Sequence, residues 1–202
     1  EQLVNELFND IPNNNLPAPT LINQLFDKNQ LATRVNVVPL KEQRSLMLIF
    51  PITDTSQYLD SKPTSLITPF LQHQGKYSLF ATLKKKGWVK SIKTHVNNFS
   101  AMDSLEVTFR LTNDGFTNID NIMEAFFEYV DLIAQKGVTQ EYYDDIRNTA
   151  ELDFIFKEKT SPIWNVAGSS PLLKIVPVNN ILNAPYQYTQ FSESLTQAYL
   201  KE

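Results

Sequence analysis

The residues able to bind a metal ion are few and far apart in the sequence. The two histidines, His73 and His95, have no second histidine at i+4 and no carboxylate at metal-ligand spacing beside them, and cysteine is absent. A protein zinc site needs three or four nitrogen, oxygen or sulfur ligands in a fixed geometry. We therefore expect no zinc site built within this chain and interpret each histidine as a surface or hydrogen-bonded residue.

Nucleophilic and phosphate-binding chemistry is not indicated either. The five glycines form neither a G-x-S-x-G turn nor a Gly-rich phosphate loop, and Ser169 and Ser170 have no base nearby in the sequence. The pair Asp144 and Asp145 is best interpreted as the solvated face of a helix. The sequence thus predicts a domain without a catalytic constellation of its own.

Basic side chains are concentrated in LKKKGWVKSIKTHV, residues 83–96. One interpretation is a nucleic-acid site, with contacts from Lys84, Lys85, Lys86, Lys90 and Lys93. However, Lys and Arg total 18 against 22 Asp and Glu, giving a net charge of −4, so the chain as a whole has no basic field. Lysines just before a helix-terminating glycine stabilise the helix end by about 0.3–1 kcal/mol each, which explains Lys84–Lys86 without a ligand. We favour a helix end that continues into a strand.

Helical spacing of apolar residues over 1–11 predicts a helix, and the Pro- and Asn-rich residues after it predict a linker. Two extended segments follow, 34–38 and 45–52, and the second is apolar on both faces, which predicts a central strand. Pro63 opens an apolar segment in which Pro69 should break or kink any helix. A second helix should end at Gly87.

From Trp88 onward the pattern has a period of two and predicts a strand. One face carries Trp88, Ile92, Thr94 and Val96, and the other carries Val89, Ser91, Lys93 and His95. A second alternation over 105–111 predicts an antiparallel hairpin. An amphipathic helix should then end at Gly137, followed by a helix that Thr139 caps, with a buried stripe and an Arg147–Glu151 ion pair. The predicted stripe consists of Tyr143, Ile146, Ala150 and Phe154.

The predicted fold class is α+β, with an antiparallel or mixed sheet packed against helices in two layers, preceded by an N-terminal helix and linker. No apolar run reaches the roughly 18–20 residues of a membrane span. The chain begins EQLVNELF, without an initiator methionine or a signal-peptide pattern, so we expect a segment of a longer protein.

The order of four segments resembles the insulysin and pitrilysin family of zinc endopeptidases, whose active site uses an inverted H-x-x-E-H motif. The matching stretches are VPLKEQRSLMLIFPI (38–52), HQGKYSLFATLKKKGWV (73–89), LTNDGFTNIDNIMEAFFEYV (111–130) and FIFKEKTSP (154–162). The resemblance implies the two-layer LuxS/MPP-like metallopeptidase fold. In this family four homologous domains form two bowl-shaped halves, and the first domain carries the zinc ligands and the catalytic glutamate.

The resemblance implies that residues 1–20 are the end of the catalytic domain and a linker. Residues 21–202 would then be the second, non-catalytic domain, short of its last strand. No cofactor is expected in this segment, and zinc would belong to the upstream domain.

The family's second domain anchors the N-terminal part of a peptide substrate, which adds as a strand to an exposed sheet edge. Matched by motif, the candidate substrate-binding residues are Gln72, His73, Gln74, Gly75, Ile92, Lys93, Thr94, His95 and Val96. Two departures weaken the expectation of N-terminal anchoring. The family's H-E-G-P-G stretch is here His73-Gln74-Gly75-Lys76-Tyr77, and its Gly-Gly pair is Thr94-His95. Gln74 removes the carboxylate that would accept hydrogen bonds from a peptide ammonium.

The leading hypothesis is a substrate-binding domain of a zinc metalloendopeptidase that degrades oligopeptides and small polypeptides. The alternative is a catalytically silent scaffold subunit of the same fold, and the upstream sequence would distinguish the two. Expected partners are peptide substrates and the other domains of the peptidase, with neither nucleic acid nor a membrane span, and a dimer through an open sheet edge is a further expectation. The resemblance implies a periplasmic location, with the cytoplasm as the alternative.

Overall fold

A computed structural model of the chain describes residues 2–12, 14–17, 26–98 and 102–201. Within these ranges the chain forms eight α-helices and three β-strands. The strands are β1 (Ser45–Ile52), β2 (Val89–Asn98) and β3 (Asp103–Leu111). The helices are α1 (Gln2–Phe8), α2 (Pro63–Gln72), α3 (Leu79–Lys85), α4 (Asn113–Phe116), α5 (Ile119–Lys136), α6 (Gln140–Ile155), α7 (Pro162–Ser169) and α8 (Glu193–Lys201). Short 3₁₀ helices cover Lys28–Gln30, Ser170–Lys174, Val178–Asn180 and Ala184–Tyr186.

The sheet is antiparallel with the strand order β1-β3-β2, so the predicted α+β class is confirmed and β3 is the central strand. The prediction that β1 is central was wrong. Its residues Leu46, Leu48 and Phe50 pack on the core, whereas Met47 and Ile49 are 52% and 47% exposed on the other face. Apolar residues on both faces of a strand indicate what covers the sheet above and below, and they do not indicate which strands lie beside it. In β1 even the covering is one-sided, because the face that carries Met47 and Ile49 is exposed.

The predicted hairpin forms between β2 and β3, and it contains a bulge that the alternation did not reveal. Val89 pairs with Leu111 and Ser91 with Arg110, so Lys90 is an extra residue on β2. Strict alternation placed Val89 on the opposite face from Ile92. Because the bulge shifts the pattern, both side chains are buried, at 3% and 5% exposure.

The hydrophobic core lies between one face of the sheet and the helices α2, α3, α5 and α8. Val107 and Phe109 of the central strand are completely buried and belong to the same hydrophobic cluster as Leu83 of α3 and Ile122 of α5. The predicted amphipathic helix is confirmed as α5, which buries Ile122, Phe126 and Ile133. It ends at Gly137, whose φ of 73° is one that glycine adopts without strain.

α3 ends directly before β2 begins. The side chain of Ser78 caps α3 by accepting a hydrogen bond from Ala81 N at 3.1 Å, and α3 stops before Gly87 (φ 76°) as predicted. Lys84 and Lys85 lie in its last turn. Pro69 does not break α2, which continues to Gln72.

Regions outside this core match the predictions less well. Thr139 caps α6 by accepting from Tyr142 N at 3.2 Å, but only Tyr143 of the predicted stripe is buried, and Phe154 is 40% exposed. Arg147 pairs with Asp144 at 3.2 Å, not with Glu151. Residues 34–38 form no strand and are exposed. The predicted linker lies partly outside the described residues, and 14–17 have no regular structure.

Candidate peptide-binding edge

β2 lies at an edge of the sheet. It pairs with β3 on one side, and no strand of the described residues pairs with its other side. Main-chain N–H and C=O groups on the free side of an edge strand are a template for a further strand. This side of β2 therefore has no strand partner within the described ranges, which is the arrangement that strand addition requires.

The five predicted residues of β2 divide between the two faces of the sheet. Ile92 is buried and Thr94 and Val96 are half-buried against the helices, whereas Lys93 and His95 are exposed on the open face. On that face Lys93 lies opposite Thr108 and His95 opposite Glu106 of β3. The strand thus presents polar side chains to solvent while its apolar ones hold it on the core.

Gln72 joins the two predicted segments of the site. It ends α2, and its side-chain amide Nε2 donates to the hydroxyl of Thr94 and, at 3.4 Å, to the Thr94 carbonyl. This contact links the end of α2 to β2, and peptide binding by 72–75 and 92–96 remains a prediction.

The loop after α2 is shaped by a close contact between His73 and Gly75. A Cβ at Gly75 would lie 2.4 Å from His73 Cε1, so a larger residue there would displace the imidazole ring. His73 and Gln74 are exposed. Tyr77, which stands where the family pattern has its second glycine after the histidine, adopts φ 69° and is 82% exposed.

Asp103 ties the far end of this edge to the loop after β1, a role that the sequence analysis missed. The carboxylate is completely buried and accepts hydrogen bonds from Thr55 N at 2.8 Å, Thr55 Oγ1 at 2.5 Å and Asn98 Nδ2 at 2.9 Å. An aspartate just before an apolar strand resembles an ordinary turn residue in sequence, so only the tertiary contacts identify it.

Lys62, at the start of α2, fastens the C-terminal segment and was also missed. Its Nζ donates to the Gln187 carbonyl and, at 2.9 Å, to the Ala184 carbonyl, and lies 4.6 Å from the centre of the Tyr188 ring. Burial lowers the pKa of Lys62 to about 8, against the opposing effect of the Asp60 carboxylate. Its φ of 42° is a left-handed conformation with no glycine to signal it.

The described residues contain no group of three or more His, Cys, Asp or Glu side chains able to hold a metal ion. His73 and His95 lie on different elements, a loop and a strand. None of the helices in the described ranges is long and apolar enough to cross a membrane.

A sequence model described as the peptidase M16 inactive domain matches residues 1–150. The chain belongs to this family. As a peptidase M16 inactive domain it is similar to the insulin-degrading enzyme of Drosophila melanogaster, with 28% identity over 203 residues, covering 100% of this chain and 20% of that protein. Human nardilysin is 25% identical over 189 residues, covering 90% of this chain and 16% of nardilysin. The chain therefore spans about a fifth of the length of the curated relatives it matches.

Solved structures give the same relationship. The crystal structure of pitrilysin superposes with a TM-score of 0.75 and 25% identity, over 79% of this chain and 17% of pitrilysin. A protease from Helicobacter pylori shares the fold, with a TM-score of 0.63 over 99% of this chain and 48% of that chain, at 17% identity. The predicted membership of the insulysin and pitrilysin family, as its second and non-catalytic domain, is confirmed.

Proposed function

We propose that this M16 inactive domain is the substrate-binding domain of a zinc-dependent metalloendopeptidase that degrades oligopeptides and small polypeptides. The observation that carries the proposal is the open edge of β2, which has the predicted residues 92–96 along it and Gln72 beside it. The relatives are peptidases by name, including an insulin-degrading enzyme.

Pairing at a strand edge suits a domain that must bind peptides of many different sequences. The peptide's main-chain groups hydrogen-bond to those of β2 whatever its side chains are, and each such bond contributes about 0.5–1.5 kcal/mol net. β2 is 10 residues long, which offers room for several of these bonds. Affinity would come from the backbone and discrimination from the side chains on the open face.

The loop at 72–75 offers less to a peptide N-terminus than the family pattern implies. Gln74 supplies a neutral amide in place of a carboxylate, and hydrogen bonds between neutral groups are about half as strong as those to a charged one. We therefore propose that the strand edge, and not the ammonium-binding loop, provides most of the affinity.

Zinc does not fit the described residues of this chain, because they bring together no set of ligands for it. We propose that the metal and the catalytic groups belong to another domain of the longer peptidase. Residues 1–20 would be the end of that preceding domain and a linker, and residues 21–202 the substrate-binding domain. The exposed apolar side chains of α1, such as Leu7 at 66% and Phe8 at 57%, support its contact with a neighbouring domain.

The test is a titration of the ¹⁵N-labelled chain with an end-capped peptide of alternating threonine and glutamine, matched in length to the 10 residues of β2. We expect amide shifts concentrated at residues 91–97. Two matched peptides carry backbone N-methyl groups either on alternate residues or on every residue. Since successive N–H groups of a strand point to opposite sides, the first peptide keeps one free edge and should bind nearly as well as the unmethylated peptide, whereas the second keeps none and should lose about tenfold or more in affinity.

Equal binding by both N-methylated peptides would exclude strand pairing. Shifts confined to regions other than β2 and residues 72–75 would place the site elsewhere. In the same preparations we expect no bound zinc by elemental analysis and no peptide cleavage, whereas a polypeptide that also includes the upstream domain should show both.

A further inference from the structure

Acidic residues are missing from a long stretch of this acidic protein. The chain has 22 Asp and Glu residues and a net charge of −4, yet residues 61–102 contain no Asp or Glu. The same stretch contains both histidines and seven lysines, namely Lys62, Lys76, Lys84, Lys85, Lys86, Lys90 and Lys93. This stretch is therefore net positive, and all of the carboxylate side chains lie in the rest of the chain.

The structure places this stretch at the proposed peptide-binding edge, because it comprises α2, α3 and β2. Several of its lysines are engaged within the domain: Lys62 holds the C-terminal segment, Lys86 lies 4.5 Å from the Trp88 ring centre and Lys84 lies 5.2 Å from that of Phe80. Lys90 and Lys93 are different. Both are exposed on β2, and neither makes an ion pair or side-chain hydrogen bond within the described part of the chain.

The carboxylate that β3 presents opposite β2 is already engaged. Glu106 lies on β3, opposite His95, and accepts a hydrogen bond from Asn97 Nδ2 at 2.7 Å. The ion pairs found among the described residues all use arginine and all lie elsewhere, at Arg34–Asp120, Arg44–Glu42 and Arg147–Asp144. The positive charge along β2 is therefore available to a strand that joins the edge.

We propose that the β2 edge selects extended peptide segments with carboxylate side chains at alternate positions. This inference rests on the proposed function and specifies its substrate class. Residues directly opposite each other on paired strands have Cβ atoms about 4.5–5.5 Å apart, and opposite charges there stabilise the pair. A Glu or Asp opposite Lys93 meets that condition, and the next carboxylate along the same face lies within reach of Lys90 or the His95 ring.

A peptide fits this edge better than a nucleic acid does. A nucleic acid carries a phosphate at every unit and is bound through an extended basic surface, whereas this chain has a net charge of −4 and β2 offers two exposed lysines. An edge strand such as β2 also matches another polypeptide strand and not a sugar-phosphate backbone.

The test compares three end-capped peptides in which threonine alternates with glutamate, glutamine or lysine, each matched to the length of β2. Binding is measured by amide shifts at 91–97 at low ionic strength. One favourable charge pair changes affinity by about 1.5- to 5-fold. We expect the glutamate peptide to bind about fivefold more tightly than the glutamine peptide, and the lysine peptide to bind most weakly. This order should largely disappear near 1 M salt, where the screening length falls to about 3 Å.

The substitution Lys93→Glu should reverse the order, and Lys93→Gln should reduce the preference without adding a carboxylate beside Glu106. The matched control, Lys159→Glu, makes the same change of net charge at an exposed position after α6 and should leave the order unchanged. Because Lys93 is exposed, both variants at this position should fold, which an unchanged thermal midpoint would show.

Each result supports or overturns the proposal. Equal affinity for the three peptides, with shifts at 91–97, would overturn the charge selectivity and leave the peptide-binding function standing. The absence of shifts with all three peptides would overturn both. A competition experiment uses labelled glutamate peptide as the probe and either unlabelled glutamate peptide or a short oligothymidylate as the competitor. If the oligothymidylate displaces the probe at the lower concentration, the lysines would be assigned to a nucleic acid instead.

Discussion

β1 and β2 both lie at an edge of the same sheet, yet they offer different side chains to a strand that would join them. β1 has the sequence SLMLIFPI, with no charged residue and with Met47 and Ile49 exposed. β2 has the sequence VKSIKTHVNN, with two exposed lysines and a bulge. Edge lysines and bulges are devices that prevent pairing with another copy of the same strand.

This difference suggests which partner each edge accepts. Two copies of β2 would bring lysines together, and like charges directly opposite each other destabilise a strand pair. An acidic peptide meets no such repulsion. Two copies of β1 would bury Met47 and Ile49 against each other, so self-association, where it occurs, should use β1. Dimerisation through an open edge remains a prediction, and the comparison now assigns it to one of the two edges.

Loss of Asp103 should have the largest effect, because its carboxylate joins the end of β2 to the loop that follows β1. The substitution Asp103→Ala would leave the Thr55 and Asn98 donors without this acceptor, and hydrogen bonds to a charged group are worth about 1.5–3 kcal/mol. We expect the free energy of unfolding to fall by about 3 kcal/mol, measured by urea denaturation. Asp153→Ala, at an exposed position on α6, is the control and should change it by less than about 0.5 kcal/mol. If Asp103→Ala lowers the free energy of unfolding only slightly, the connection between the end of β2 and the loop after β1 does not depend on these hydrogen bonds.

A lysine placed on β1 should make this edge resist pairing with another copy of itself, as the lysines of β2 do. The substitution Ile49→Lys adds the kind of residue that β2 already carries, at a side chain that is 47% exposed. If the 202-residue chain associates through β1, the dissociation constant measured by sedimentation should rise about tenfold. Lys93→Ile, which removes a charge from β2, should instead promote association. An unchanged association with Ile49→Lys would exclude the β1 edge.

Lys62 connects the chain that leaves β1 with residues 184–188, and its titration should appear in the pH dependence of stability. Its pKa is about 8 in the folded state against the usual 10.5, so the unfolded chain binds more protons between these values. Stability should therefore rise as the pH increases from about 8 to about 10.5. Because the ammonium group is partly solvated, we expect a rise of about 1 kcal/mol, less than the full shift implies.

The variant Lys62→Met should lack this rise, which urea denaturation at a series of pH values would reveal. Lys136→Met is the control, since Lys136 is exposed at the end of α5. A rise that persists in Lys62→Met would assign the pH dependence to another group.

Local patterns predicted those parts of the fold that depend on near neighbours in the chain. Gly87 and Gly137 marked the ends of α3 and α5, and period-two alternation identified the β2–β3 hairpin. The position of β1 at an edge was not predictable in this way, because lateral strand order is decided by residues far apart in sequence. The bulge at Lys90 appears only once Ser91 is found opposite Arg110.

The candidate site was predicted less directly than the fold. Periodicity identified a strand at 89–98 but gave no reason to associate it with residues 72–75; that association came from the family resemblance. The contact between Gln72 and Thr94 supplies the physical link. The absence of carboxylates from residues 61–102 is visible in the sequence, but its meaning depends on knowing that β2 is an edge strand.

The smallest expected effect concerns Tyr77, in the loop that leads from α2 towards β2. A bulky residue at φ 69° is strained, and glycine, which the family pattern has at this position, adopts such a conformation without that cost. Tyr77→Gly should therefore raise the free energy of unfolding by about 0.5 kcal/mol. Two effects oppose this gain: glycine is more flexible in the unfolded chain, and the exposed contact of Lys76 with the ring, 4.9 Å away, is lost. We expect the relief of backbone strain to exceed both. Tyr77→Ala, which loses the ring but keeps a Cβ, is the matched control and should not stabilise the protein. If both variants lower the urea midpoint equally, the Tyr77 ring itself stabilises the loop. The β2 edge would then differ from the β1 edge in a further way, because an aromatic contact would stabilise the loop beside it.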